Sequence, residues 1–170
     1  MSLQTTGAWL RRRAENVAAG LLAAMFVAFI LQIVFRYFFN FPIGWTSELS
    51  VVTWLWLVLW GAALVVKESE EIRFDLVYSS AGPRTRRAMG IITGISIVVL
   101  YAASLPASVK YITFMKVESA SYLRIRFDLL FSIYVLFLVA VILRYLWILW
   151  HLLRGKDPEA LDVTKLSSSL

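Results

Sequence analysis

The sequence predicts an all-α membrane protein of four transmembrane helices, with a short interfacial amphipathic helix between the second and the third. Three observations carry that prediction. Of 170 residues, 60% are apolar and only 16% charged, against about 45–50% and about 25% in a soluble domain. A domain near this size buries only about 70% of its unfolded surface, so something other than water must solvate the excess. The apolar residues fall into four stretches close to the ~20 residues that a helix needs to cross a bilayer, and none alternates with the period of two that barrel strands require.

The first stretch runs uncharged from Asn16 to Phe35 behind Arg11, Arg12 and Arg13. It is longer than a signal-peptide core and ends in QIVFRYFF rather than at small residues, so an uncleaved first helix is expected. The second runs from Leu49 to Val66, and the third from Ala88 to Val109 with Pro106 near its end. The fourth runs from Leu129 to Leu153, interrupted by Arg144 and His151. Trp147 and Trp150 near its end are placed to anchor it at the interface, where tryptophan concentrates. Residues 1–154 thus read as one integral membrane domain, and residues 155–170 as a short polar cytoplasmic tail.

Lysine and arginine set the orientation. Twelve lie on the side shared by the N-terminus, the second connection and the C-terminus, and five on the other side (Arg36, Lys110, Lys116, Arg124, Arg126). Both termini are therefore expected in the cytoplasm. The net charge of +6 is largely this topological signal, and no basic cluster interleaved with stacking aromatics points to nucleic acid. In the second connection, Ile72, Leu76 and Val77 share a helical face away from Glu68, Glu71 and Asp75, which predicts the amphipathic helix; Pro83 ends it.

Chemistry has little to work with. There is no Cys and a single His, so disulfides, thiol nucleophiles and a histidine metal cluster have no residues to form them, and no catalytic, metal or cofactor site is expected. None of the four stretches places a carboxylate mid-membrane, where a proton-coupled carrier would want one; the most polar deep residue is Gln32, one turn from Arg36. The helices instead carry small residues at four-residue spacing, Gly20, Ala24 and Ala28 in the first and Gly90 with Gly94 in the third, and Gly61 heads a small cluster in the second. Such spacing lets helix backbones approach closely, either within this chain or against a partner. Trp54, Trp56 and Trp60 lie inside the second helix and face either lipid or a hydrogen-bond acceptor on a neighbour.

The stretch from Phe35 to Leu49 (FRYFFNFPIGWTSEL) carries the densest polar information. Pro42 and Gly44 turn the chain, Trp45 anchors it, and Thr46 or Ser47 is placed to cap the second helix, with Glu48 in its first turn complementing the dipole. Arg36 and Glu48 flank the turn, either as an ion pair or as a contact for a substrate or partner.

These residues resemble the small membrane subunit, DctQ-type, of tripartite ATP-independent periplasmic (TRAP) transporters. The likeness rests on Phe35-Arg36-Tyr37, Asn40, Pro42, Trp45, Thr46 and Glu48, then Gly61, Ile72 to Leu76, Pro83 and Arg86-Arg87. The chain departs from such relatives at Glu71, where they often carry His, and in lacking a Pro ahead of the fourth helix. The resemblance implies uptake of organic acids across the bacterial inner membrane. A periplasmic substrate-binding protein would capture the substrate, and a large multi-span subunit would carry it inward with sodium. This chain would be the scaffold beside that large subunit, with sodium and substrate sites in the partner. Arg36, Asn40, Trp45 and Glu48 would shape the face that helps dock the binding protein. A small four-span homo-oligomeric exporter or channel is the alternative.

Overall fold

The computed structural model describes residues 3–41, 43–66 and 82–154. Helix α1 is Leu3–Tyr37, α2 is Gly44–Trp60 and continues as a π-helical turn over Gly61–Val65, α3 is Pro83–Phe114 followed by a 3-10 turn at Met115–Val117, and α4 is Phe127–Leu153. Among the described residues these provide four helices long and apolar enough to cross a membrane. All four begin earlier than the apolar stretches alone indicate. Arg11, Arg12 and Arg13 already lie on α1, where Arg11 Nε reaches Glu15 Oε1 one turn on at 2.9 Å. Hydropathy marks where a helix meets hydrocarbon, not where its backbone bonds begin, and α1 with 35 residues is about 52 Å long at 1.5 Å per residue.

Pro106 lies inside α3 rather than near its end. It donates no backbone hydrogen bond, a loss that membrane helices tolerate better than soluble ones. The expected interfacial helix, including Ile72 to Leu76, and the polar tail both fall outside the described residues.

The chain divides into two compact units. The first comprises Met1–Val65 and Ala107–Phe137, and within it α1 packs on α2 and its π-helical turn. Its buried residues are small or polar more often than large: Ala28, Ala63, Thr46 and Thr53 are buried, as are Leu130 and Ile133. Two indoles tie it together by their polar edges. Trp60 Nε1 donates to the Ala14 carbonyl at 3.0 Å, and Trp56 Nε1 to the Leu130 carbonyl at 3.0 Å. Both find acceptors on other helices, which removes the cost of an unpaired indole N–H in lipid. Trp54, by contrast, is exposed.

The second unit comprises Val66–Pro106 and Leu138–Leu170. Here α3 presents Gly90 and Gly94 to α4. A Cβ on Gly90 would meet Leu152 Cδ1 at 3.2 Å, and one on Gly94 would meet Leu149 Cδ2 at 2.9 Å. Leu138, Leu149 and Leu152 are buried accordingly. Gly20 and Gly61 face open space, and Ala24 is exposed.

Candidate functional site

The first connection begins where α1 unwinds. Phe38 N–H still donates to the Val34 carbonyl at 2.8 Å, and Phe41 N–H then reaches back to the Phe35 carbonyl at 3.1 Å. Closing the chain over the helix end in this way requires a left-handed residue, and Asn40 supplies it with φ 48°. Asparagine enters that region far more readily than branched residues do. Asn40 therefore has a backbone reason for its place in the motif. The Phe35 and Phe39 rings pack beside it at 5.3 Å.

Helix α2 opens at Gly44 with no side-chain cap. Thr46 and Ser47, placed as caps by their position, do something else. Thr46 Oγ1 donates to the Ile43 carbonyl at 2.9 Å and Ser47 Oγ to the Gly44 carbonyl at 2.7 Å. Ser50 and Thr53 repeat the pattern on the carbonyls of Thr46 and Leu49 at 2.9 and 2.7 Å. A hydroxyl bonded to its own helix needs no partner across the bilayer, so these polar residues carry little demand for solvent.

Glu48 is the pivot of the site. Its carboxylate accepts the Tyr122 N–H at 3.1 Å on Oε1 and 3.0 Å on Oε2, and the Leu123 N–H at 2.9 Å on Oε2. The two amides belong to the third connection, folded as a tight loop. Ala120 N–H donates to the Ile125 carbonyl at 2.9 Å, Arg124 N–H to the Ala120 carbonyl at 3.1 Å, and Ser119 bridges Arg126 in antiparallel fashion. Arg124 takes φ 55° to close it. Successive amides aimed one way make a concave anion seat, and here the chain's own carboxylate occupies it. Hydrogen bonds to a charged acceptor each contribute about 1.5–3 kcal/mol. On the other side of the latch the Tyr122 ring lies against the bare Cα of Gly44, where a Cβ would collide with its Cζ and Cε atoms. Arg126 and Asp128 pair at the loop's foot through Nε–Oδ1 at 3.1 Å. That hydrogen bond raises the Arg126 guanidinium above its usual range.

The expected ion pair between Arg36 and Glu48 is not formed. The carboxylate is committed to the 122–123 amides, while Arg36, in the last turn of α1, is exposed and makes no ion pair among the described residues. Trp45 is 39% exposed, and Tyr37, Phe38 and Phe41 are exposed as well. The four motif residues thus divide: Glu48 and Asn40 hold the backbone, and Arg36 and Trp45 face outward. Gly44 and Tyr122 complete the latch, and no local signal marks Tyr122, since it lies 74 positions from Glu48.

A shallow apolar groove of about 350 Å³ runs between α1 and α2, lined by Met25, Phe26, Phe29, Ser50, Val51 and Trp54. Among the described residues, no three His, Cys, Asp or Glu side chains stand together as a metal site. The arrangement offers surfaces for packing and docking.

Comparison with known proteins bears on what those surfaces meet. Residues 25–155 match the family described as tripartite ATP-independent periplasmic transporters, DctQ component. A curated protein of Haemophilus influenzae, named as a TRAP transporter small permease, is 25% identical over 91 residues, which cover 54% of this chain and 56% of that protein. The chain thus spans little more than half the length of this relative.

Proposed function

Because this chain belongs to the DctQ family of tripartite ATP-independent periplasmic transporters, we propose that it is the small membrane subunit of a sodium-coupled TRAP transporter for organic acids. The match over residues 25–155 is the observation that carries this reading. In it, the chain is a scaffold that holds a large multi-span transporting subunit, and the sodium and substrate sites lie in that partner.

The distribution of charge supports a packing role. The acids on the four spans are Glu15, Glu48 and Asp128, all within about two turns of a span's start. Glu48 is committed to holding a loop. The outward side chains of Arg36 and Trp45, on a connection that Asn40 and Glu48 hold in shape, form the face that helps dock a periplasmic substrate-binding protein. The twelve-to-five bias of basic residues supports an orientation in the inner membrane with that face toward the periplasm and both termini toward the cytoplasm.

Two measurements test this. Purification of the tagged chain in mild detergent should bring down a large multi-span subunit in fixed stoichiometry. A homo-oligomer that transports alone in liposomes would replace this reading with the exporter alternative. Because the chain has no Cys, single cysteines report sidedness without background. Ser121→Cys should react with an impermeant maleimide in intact cells, and Ser168→Cys only after lysis; the reverse pattern would invert the orientation.

A further inference from the structure

The ends of α3 and α4 in the second unit gather arginines that no acid answers among the described residues. α3 begins at Pro83 and carries Arg84 and Arg87 three positions apart, on one helix face, and its first turn holds no acidic residue. α4 ends at Leu153 with His151 in its last turn, and Arg154 follows. The close approach at Gly90 and Gly94 brings these ends together, and Arg87 Nη2 donates to the Leu153 carbonyl at 3.2 Å. Arg154 stacks its guanidinium on the Trp150 ring at 4.3 Å.

The electrostatics are one-sided. The N-terminus of α3 carries a partial positive charge of its own, which Arg84 and Arg87 reinforce. Arg87 caps the carbonyl end of α4, a favourable use of one cation. Arg84 and Arg154 have no ion pair among the described residues. An anion that answers them must come from outside these two helix ends.

We propose that this cluster binds the headgroup phosphate of an acidic phospholipid, with Arg84 and Arg154 as its ligands. The surroundings favour a lipid over a free anion. Trp147 and Trp150 are about half exposed, and Leu146 and Leu153 are exposed beside them, so the cations sit next to apolar surface suited to acyl chains. Indoles concentrate at headgroup depth, and stacking on Trp150 keeps Arg154 at that level. Basic pockets between helix ends are a recurring form of headgroup recognition. The proposal needs only that the chain spans a membrane, and stands apart from its role in a transporter.

The test uses the full-length chain in mild detergent, offered equimolar phosphatidylglycerol and phosphatidylcholine with identical acyl chains, with retained lipids counted by native mass spectrometry. The wild type should retain the acidic lipid preferentially. An arginine near an anionic surface contributes roughly fivefold, so the R84Q/R154Q pair should cut the preference about 25-fold. R84K/R154K should keep most of it, which separates charge from misfolding. The K110Q/K116Q pair, at the opposite end of α3 and in the turn after it, should leave it intact. Equal retention of both lipids by the wild type, a preference that survives R84Q/R154Q, or displacement of the lipid by inorganic phosphate would each overturn the proposal.

Discussion

At the connections of the first unit the chain answers its own polar backbone. Glu48 collects the amides of Tyr122 and Leu123, and Tyr122 covers Gly44. At the helix ends of the second unit the described residues answer only part of what they present: Arg87 caps one carbonyl, and Arg84 and Arg154 make no ion pair among the described residues. Both places use glycine for close approach. One closes on a rigid aromatic ring held by backbone hydrogen bonds, the other on the branched ends of leucines. The first is a latch with a single geometry, and the second is a contact that can give.

Putting the same substitution in both places tests that distinction. Gly44→Ala drives a methyl into the Tyr122 ring. The ring must rotate off Gly44 and give up its cover of the latch, or carry the loop with it, so overpacking and a disturbed latch add, at about 3 kcal/mol. Thermal unfolding in detergent should show a large drop in midpoint, and proteolysis should begin in residues 118–126. A wild-type midpoint would mean that the ring is free to move. Glu48→Gln comes next. It keeps the shape but gives up the charge and presents one acceptor oxygen instead of two, a loss of about 2 kcal/mol. Gly94→Ala should cost about 1 kcal/mol net, because displacing the flexible end of Leu149 costs about 2 kcal/mol and alanine's helix preference returns about 1 kcal/mol of it.

The latch also shows where sequence reading stops. The four spans were legible because hydropathy over twenty residues is a local quantity that lipid enforces on every such helix. Helix starts at Leu3 and Gly44 were not, since an amphiphilic first turn leaves no hydropathy signal. The motif at Arg36, Asn40, Trp45 and Glu48 stood out by composition, yet the roles within it depend on what lies across the turn. Asn40 is explained by a backbone angle, and asparagine in a turn is a fair sign of one. Glu48 is explained by residues 74 and 75 positions away, and no spacing rule reaches that far. Thr46 and Ser47 looked like caps, but hydroxyls near hydrocarbon turn back on their own carbonyls when no water competes. Trp60 left two readings open, and the Ala14 carbonyl decides for a neighbour.

The smallest expected effect is the most discriminating. If Arg36 and Glu48 were a pair, each single change to Gln would destabilise, and the double change would cost less than their sum. The geometry excludes that outcome, because both carboxylate oxygens are engaged by amides and Arg36 is exposed. Arg36→Gln should therefore shift stability by less than about 0.5 kcal/mol, as exposed substitutions do, and the double variant should match Glu48→Gln alone. Measured on the isolated chain and then on the proposed complex with a large membrane subunit and a binding protein, the same four proteins separate two uses of one motif. Glu48→Gln should weaken both preparations, whereas Arg36→Gln should leave the isolated chain untouched and, if Arg36 belongs to the proposed docking face, slow association with the binding protein, most visibly at low salt, where an outward guanidinium acts at longer range. A coupling of more than about 0.5 kcal/mol between the two in the isolated chain would show that the guanidinium reaches the carboxylate after all, and would move Arg36 from the proposed docking face into the latch.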